Sequence, residues 1–342
     1  MRLIDLVKGL TEVHAAAIPS DIEIAGIGAD SRTMAPGFLF AALPGAKADG
    51  RTFIGDALAR GAVAVRGPAE GNPLPPEAGA VLLRAANPRR AYALLAARFF
   101  ARQPASVAAV TGTNGKTSTV HFLRQIWTEL GLRAASIGTL GVVGSGGEGR
   151  QNKDSGAGDA AGVSGLGAGA PGGETLRAGG LTTPDPAELH RALKNLAESG
   201  VENLALEASS HGLDQYRLDG VRLKAAAFTN LTRDHLDYHR DMAAYLAAKR
   251  RLFAELLPAD AVAVVHAGAP GADAILDACR KRGVKLITYG GEDADVALRS
   301  GQPTPGGQRL DLSLFGIGRM IEFPLVGGLE VENGLAALAL AL

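Results

Sequence analysis

Residues 109–122 read AVTGTNGKTSTVHF. A tight glycine turn that leads through lysine and threonine into a helix can wrap a phosphate in backbone N–H groups, with the helix dipole adding favourable charge. The usual spacing G-x-x-x-x-G-K-[ST] is not met, because Val110 stands where the first glycine belongs. What remains is GTNGKT, with Gly112, Asn114 and Gly115 making the turn. Lys116 would lie against the β- and γ-phosphates of a nucleotide, and the Thr117 hydroxyl would ligate Mg²⁺. The shortened loop points away from GTPases and towards another branch of P-loop proteins. The plainer alternative is a glycine turn with a chance Lys-Thr. Against it, the strand-like SVAAV precedes the loop and the helical TSTVHFLRQIWTELG follows it, which is the context the motif requires.

Two further groups have the right chemistry. ALEASSHGLDQYRL puts Glu207 at the end of a strand-like run, where ligands of open α/β sheets bind. From there a carboxylate reaches a metal held by Thr117; taken alone, Glu207 is equally well a surface glutamate. NLTRDHLDYHRD carries Asp234, His235, Asp237, His239 and Asp241, a mixed set that suits Mg²⁺ or Mn²⁺ beside phosphates better than zinc. A solvated polar loop also accounts for that cluster.

One lysine stands out on physical grounds. Asp241 is placed to cap a helix over 242–257, followed by Pro258. Its apolar stripe is Met242, Tyr245, Leu246, Leu252, Phe253, Leu256 and Leu257, and at about 100° per residue Lys249 falls inside the stripe. Arg250 and Arg251 fall on the polar side. Either the Lys249 stem packs and its head escapes to solvent, or the head enters an active site. A neutral amine there can take up CO₂ to give a carbamate, a good Mg²⁺ ligand.

Alternating elements must hold these groups. Residues 1–105 read as one mixed α/β unit: IEIAGI, FLFAAL and AVAV are strand-like, while GRTFIGDALARGA, stopping at Gly61, and NPRRAYALLAARFFARQP are helical. From 106 to 342 the pattern becomes strand, glycine loop, helix. AASIG, VENLALEAS, KAAAFTNL, DAVAVVHA and VKLITYG are further strands, which implies a doubly wound, mostly parallel sheet. Residues 144–180 hold 14 glycines in 37 positions and no aromatic, too little apolar surface to offset the entropy of ordering, so a flexible insertion is expected. GLEVENGLAALALAL stops at Leu342 inside an apolar helical pattern, so a chain cut short is expected.

Bulk composition narrows the class. The 342 residues balance 35 basic against 35 acidic side chains, which argues against a nucleic-acid binder. The single cysteine, Cys279, excludes an internal disulfide and reads as a buried small side chain in a reducing compartment. Asp5, Lys8 and Glu12 interrupt what would be a signal-peptide core, and no apolar run has the length of a membrane helix. A cytoplasmic protein without membrane or nucleic-acid partners is expected.

Five ordered blocks carry a resemblance: ADSRTMAPGFLFAALPGAKADG, VTGTNGKTST, LTTPDP, EASSHGLDQYRL and FTNLTRDHLDYHRDMAAYLAAKRRLF. Together they are similar to the Mur ligases of peptidoglycan synthesis, in particular the MurE type. Such enzymes join an amino acid, meso-diaminopimelate or L-lysine, to UDP-N-acetylmuramoyl-L-Ala-D-Glu at the expense of ATP, through an acyl phosphate. The resemblance implies an ATP loop of Gly112, Thr113, Asn114, Gly115, Lys116, Thr117 and Ser118. It implies two Mg²⁺ sites served by Thr117, Glu207, His235 and a carbamate on Lys249, and so a catalytic set of Lys116, Lys249, His235 and Glu207. Ala29, Ser31, Ala46, Lys47 and Ala48 match the uridine-diphosphate site. Thr182, Thr183, Ser209, Gln215 and Arg217 match contacts to the muramoyl dipeptide. Asn333 matches an adenine contact, although Glu330 stands where family members often carry a second asparagine.

Two departures shape the expectation. The family has a much shorter link in place of 144–180, and its Rossmann-like C-terminal domain, which closes over ATP and holds the incoming amino acid, is expected to be missing. The chain alone is then expected to bind its substrates, as a monomer, but to ligate poorly. Meso-diaminopimelate is favoured as the added residue only because it is the commoner choice. A related ligase such as MurF or folylpolyglutamate synthetase is opposed by LTTPDP and SSHGLDQYR. A non-catalytic nucleotide-binding relative is opposed by the retained Lys116, Glu207, His235 and Lys249.

Overall fold

Short apolar runs set the first layer. The computed structural model describes residues 1–11, 13–15, 18–45, 49–68, 79–144, 181–234 and 237–342; residues 145–180 of the glycine-rich stretch lie outside it. After α1 (Leu3–Val7) come β1 (Gly26–Gly28), β2 (Phe38–Ala41), α2 (Ile54–Ala59), β3 (Ala64–Pro68), β4 (Val81–Ala85) and α3 (Pro88–Phe100). The four strands pair in parallel in the order β1-β2-β3-β4. Asn87 starts α3 by accepting the Arg90 N–H, with Pro88 at the first helical position. Leu39, Leu83, Tyr92 and Leu95 are fully buried between this sheet and α1 and α3. Residues 50–53 form a 3₁₀ turn, not the first turn of α2, and Phe53 is left exposed.

The second sheet is longer. It is built from β5 (Ser106–Thr111), α4 (Lys116–Glu129), β6 (Ala134–Gly138), β7 (Gly141–Gly144), α5 (Pro186–Glu198), β8 (Asn203–Glu207), α6 (Ser210–Asp214), β9 (Ala225–Phe228) and α7 (Met242–Arg251). There follow β10 (Val262–His266), α8 (Ala272–Arg282), β11 (Lys285–Gly290), β12 (Val296–Thr304), β13 (Gly307–Leu314), β14 (Ile317–Phe323) and α9 (Gly328–Ala341). Among the described residues ten strands pair in the order β14-β13-β12-β11-β10-β9-β5-β8-β6-β7. From β12 to β6 the pairing is parallel; β7, β13 and β14 join antiparallel. β5, which feeds the glycine loop, lies between β8 and β9, so the C-terminal ends of these three strands are neighbours. That is where open α/β sheets bind ligands. Val120, Leu123 and Trp127 of α4 pack with Val331, Leu335 and Ala336 of α9 in the core.

By backbone proximity the chain divides into two compact units. One is Met1–Gln103 with Asp185–Lys194 and Gln215–Val221; the other is Pro104–Pro184, Asn195–Asp214 and Arg222–Leu342. Among the described residues no helix is long and apolar enough to cross a membrane. Cys279 is fully buried, and burial pushes its thiol up to about 11.

α7 corrects one expectation. Asp241 caps it as foreseen, accepting the Ala244 N–H at 2.8 Å, and Lys249 is only 1% exposed. Arg251, expected on the polar side, is buried. Its guanidinium donates to the Leu213 carbonyl at 3.0 Å and pairs with Glu255 at 2.8 Å. The packing of α6 on that face supplies the Leu213 carbonyl, and the regular helix gives way to a π-helical turn over Leu252–Leu256, which carries Glu255.

Candidate functional site

The glycine loop hangs from the C-terminal end of β5. Gly112 and Gly115 have φ of +154° and +85°, and each has a neighbour where a side chain would go. A Cβ on Gly112 would meet Thr229 Oγ1 at 1.9 Å, and one on Gly115 would meet Asn333 Oδ1 at 2.0 Å. The segment after β9 braces the loop from the side. Asn114 N donates to Asn230 Oδ1 at 2.9 Å, Thr229 Oγ1 donates to Asn114 O at 2.7 Å, and Thr232 N donates to Thr113 Oγ1 at 2.9 Å. Gly115 caps α4 without a side-chain partner, and Thr117 and Ser118 stand half-buried in its first turn. A helix start free of a side-chain cap is open to an anion.

Two lysine heads converge on the same peptide. Lys116 Nζ donates to Gly112 O at 3.0 Å and Thr113 O at 2.9 Å, and Lys249 Nζ donates to Gly112 O at 2.7 Å. Burial lowers both amines from their ordinary range. For Lys249 the burial and the nearby Lys116 charge bring it to about 6, against a smaller opposing pull from Asp234. For Lys116, Glu207 and Asp234 pull back. Lys249 Nζ also lies 4.2 Å from the Tyr245 ring centroid, and the Tyr245 hydroxyl is 3.2 Å from Thr113 Oγ1. Its head thus belongs to the loop, not to solvent.

Glu207 ends β8, 1% exposed. Its Oε1 accepts the Thr139 N–H at 2.9 Å and its Oε2 the Thr139 hydroxyl at 3.1 Å. Asp241 is occupied in capping α7. His235 lies outside the described residues, as do Ala46, Lys47 and Ala48. Among the described residues no three His, Cys, Asp or Glu side chains gather to hold a metal. A cation there would rest on the oxygens of Glu207 and Thr117 and on phosphate oxygens and water. That hard-oxygen set suits Mg²⁺, which is commonly held by one or two carboxylates plus phosphates. The nucleotide fits on separate grounds. Asn333 is 2% exposed against Gly115, and its Nδ2 is a buried donor with no hydrogen-bond partner among the described residues.

The other expected contacts fall in two places. In the second unit, Thr183 is fully buried; its hydroxyl donates to Glu207 O at 2.9 Å and accepts from Ser209 N at 3.0 Å. Ser209 Oγ lies 3.0 Å from Thr183 Oγ1 and accepts the Gly212 N–H at 3.1 Å. Thr183→Val keeps the shape and strips these bonds. It is expected to lower stability by about 1–3 kcal/mol, read as a shifted urea midpoint with unchanged slope; an unmoved midpoint would show the knot to be idle. In the first unit, Arg217 donates to Gln215 Oε1 at 2.7 Å. Nearby, burial raises the Asp185 carboxyl, although it accepts the Tyr92 hydroxyl at 2.6 Å. Ala29 and the buried Ser31 follow β1, where Asp30 accepts the Arg32 N–H and caps a 3₁₀ turn.

Sequence reasoning missed Thr139 and the bracing residues Thr229, Asn230 and Thr232. For Thr139 the available signal was the run GTLG, whose first glycine ends AASIG, since glycines flanking two residues suit a hairpin turn.

A family model described as the Mur ligase middle domain matches residues 110–341, and one described as the Mur ligase family catalytic domain matches residues 23–100. The chain is 43% identical over 346 residues to the UDP-N-acetylmuramoyl-L-alanyl-D-glutamate–2,6-diaminopimelate ligase of Bradyrhizobium diazoefficiens, covering 100% of this chain and 64% of that protein. It is 44% identical over 337 residues to the ligase of the same name from Caulobacter vibrioides, covering 98% and 64%. A solved structure bearing that enzyme name superposes with a TM-score of 0.78 at 27% identity, over 100% of this chain and 63% of that one. MurF from Acinetobacter baumannii shares the fold, with a TM-score of 0.61 at 21% identity over 99% and 63%. The chain thus spans a little under two thirds of the length of the curated relatives it matches. A match over residues 110–341, on a chain whose glycine loop, paired lysines and strand-end glutamate meet at one sheet edge, shows that it belongs to the Mur ligase family.

Proposed function

We propose that the chain carries the ATP-binding and UDP-substrate-binding parts of a cytoplasmic, MurE-type ligase, which joins meso-diaminopimelate to UDP-N-acetylmuramoyl-L-Ala-D-Glu. Residues 1–105 take the uridine-diphosphate end and residues 106–342 take ATP. The observation that carries this reading is the meeting of Lys116 and Lys249 on the Gly112 carbonyl, at 3.0 and 2.7 Å, beside the start of α4, whose N-cap Gly115 offers no side-chain cap.

The chemistry asks the protein for placement and charge, not for a nucleophile. A substrate carboxylate oxygen attacks the γ-phosphorus of ATP, and the bond to the β-bridging oxygen breaks to release ADP. The resulting acyl phosphate is attacked at its carbonyl carbon by the amine of the incoming amino acid, and phosphate leaves with the C–O electron pair. The loop amides and Lys116 hold the phosphates; on nucleotide binding Lys116 exchanges its loop carbonyls for phosphate oxygens. Thr117, Glu207, His235 and a carbamate of Lys249 would hold Mg²⁺, which would supply neutralisation of phosphate charge. Thr182, Thr183, Ser209, Gln215 and Arg217 hold the dipeptide, and Ser31 with Ala29 and 46–48 the uridine diphosphate. Asn333 Nδ2 is the donor offered to the adenine.

Calorimetry with UDP-N-acetylmuramoyl-L-Ala-D-Glu, and UDP-N-acetylmuramoyl-L-Ala as control, tests the substrate. We expect the dipeptide form to bind at least about 10-fold tighter, the step one well-placed charged contact gives. Equal binding of the two would remove the MurE assignment, and binding of neither would remove the uridine site.

A further inference from the structure

Thr139 has no part in the proposed function, yet it touches the most buried carboxylate of the site. β6 and β7 form a hairpin in which Gly138 pairs with Gly141, leaving Thr139 and Leu140 as its two turn residues. The Thr139 N–H is therefore outside the ladder and free to turn inward. β6 also runs parallel to β8, with Ile137 beside Leu206. The next step along both strands brings Gly138 beside Glu207, whose side chain crosses over it. A Cβ on Gly138 would sit 2.0 Å from Glu207 Oε1. The glycine clears the path and Thr139 receives the carboxylate at its end, one donor to each oxygen. A carboxylate held at both oxygens keeps a fixed plane, and lone pairs remain on each oxygen for another partner.

The same hydroxyl reaches the substrate loop. Thr139 Oγ1 lies 3.3 Å from Thr182 Oγ1. A hydroxyl has one proton; with that proton on Glu207, Thr139 accepts from Thr182. The neighbouring Thr183 donates to the Glu207 backbone carbonyl. Both threonines of the LTTPDP segment thus bear on Glu207, one directly at its main chain and one through Thr139 at its side chain.

We propose that Thr139 is the positioning residue for Glu207, and that it joins the metal-binding carboxylate to Thr182 of the substrate loop. Divalent-cation binding with nucleotide and dipeptide binding are then coupled through one hydroxyl. The proposal rests on Glu207 serving a cation, as set out under the proposed function.

The test uses the 342-residue chain, with Mn²⁺ as probe followed by its paramagnetic resonance in the presence of ADP, and with metal-free ADP binding followed by calorimetry. Thr139→Val is expected to weaken Mn²⁺ by about 10-fold or more, the usual penalty for losing an outer-shell partner, with metal-free ADP binding unchanged. Thr139→Ser, which keeps the hydroxyl, restores it. Gly138→Ala, which keeps both donors but blocks the carboxylate's path, weakens Mn²⁺ as Thr139→Val does. In the unaltered chain the dipeptide substrate tightens Mn²⁺ further, and in Thr139→Val it does not. Mn²⁺ affinity in Thr139→Val equal to that of the unaltered chain overturns the proposal, as does an equal loss of metal-free ADP binding. An unaltered chain that binds Mn²⁺ no better with ADP than without it overturns the cation assignment of Glu207 itself, and the proposal with it.

Discussion

Gly115→Ala is expected to lower ADP affinity by about 100-fold or more, a loss of roughly 2.7 kcal/mol or above. Two effects combine. At φ +85° any residue with a Cβ carries a left-handed penalty of about 1 kcal/mol. The larger effect is steric: the new methyl would lie 2.0 Å from Asn333 Oδ1, and Asn333 is buried in α9. Neither side can give cheaply. If the loop lifts, the amides at the start of α4 and the Lys116 head leave the phosphate position. If Asn333 moves, its buried amide donor is lost from beside the loop. Gly316→Ala separates the two effects, because Gly316 has the same φ of +85° and nothing within 4 Å of its would-be Cβ. It should cost about 1 kcal/mol of stability and leave ADP binding unchanged. Calorimetric titration of both variants decides the matter. ADP binding by Gly115→Ala at the unaltered affinity would mean that the loop does not take phosphates in the shape seen here.

What the sequence disclosed and what it hid divide along a physical line. Lys249 was legible because a regular helix projects at a fixed angle, and a charge among Tyr245, Leu252 and Phe253 has to face inward. The same projection misplaced Arg251, since it knows nothing of the Leu213 carbonyl on α6 or of the π-helical turn that begins at Leu252. The buried parallel strands β5, β8, β9, β10 and β11 announced themselves as short apolar runs between glycine and polar punctuation. The antiparallel extension of β12 to β14 did not, because β14 is exposed along almost its whole length and shows no alternation to read. Glu207 and the glycine loop followed from strand–loop–helix order. Their partners did not: Thr139, Thr229, Asn230 and Thr232 are ordinary polar residues in turns, and only the register between strands brings them to the site.

Lys249→Met is expected to make the chain more stable and to remove one chemical group from it. The unfolded lysine titrates near 10.5 and the folded one at about 6, chiefly because burial disfavours the charged amine. Between those values the unfolded chain holds one proton more than the folded chain, so stability rises with pH across that window. The slope contributed by this residue is at most about 1.4 kcal/mol per pH unit. Methionine has a similar length and no charge, so that slope disappears. Gly112 O, which loses one donor, keeps the Lys116 ammonium at 3.0 Å. In urea denaturation in CO₂-free buffer, the variant should exceed the unaltered chain most near pH 6, and the two should draw together towards pH 9. A protein that keeps an amine where an apolar side chain would be more stable is spending stability on what a neutral amine can do. At neutral pH the free electron pair of Lys249 can attack CO₂, forming an N–C bond and releasing a proton, so that a buried neutral amine becomes a carboxylate-like oxygen ligand beside the phosphate loop. ¹³C-labelled bicarbonate should therefore give a carbamate resonance in the unaltered chain and none in Lys249→Met, with metal-free ADP binding retained in both. A resonance that persists in the variant would assign the carbamate elsewhere. A parallel pH dependence of stability in the two chains would mean that Lys249 stays charged in the folded protein, and that its place beside Gly112 is structural.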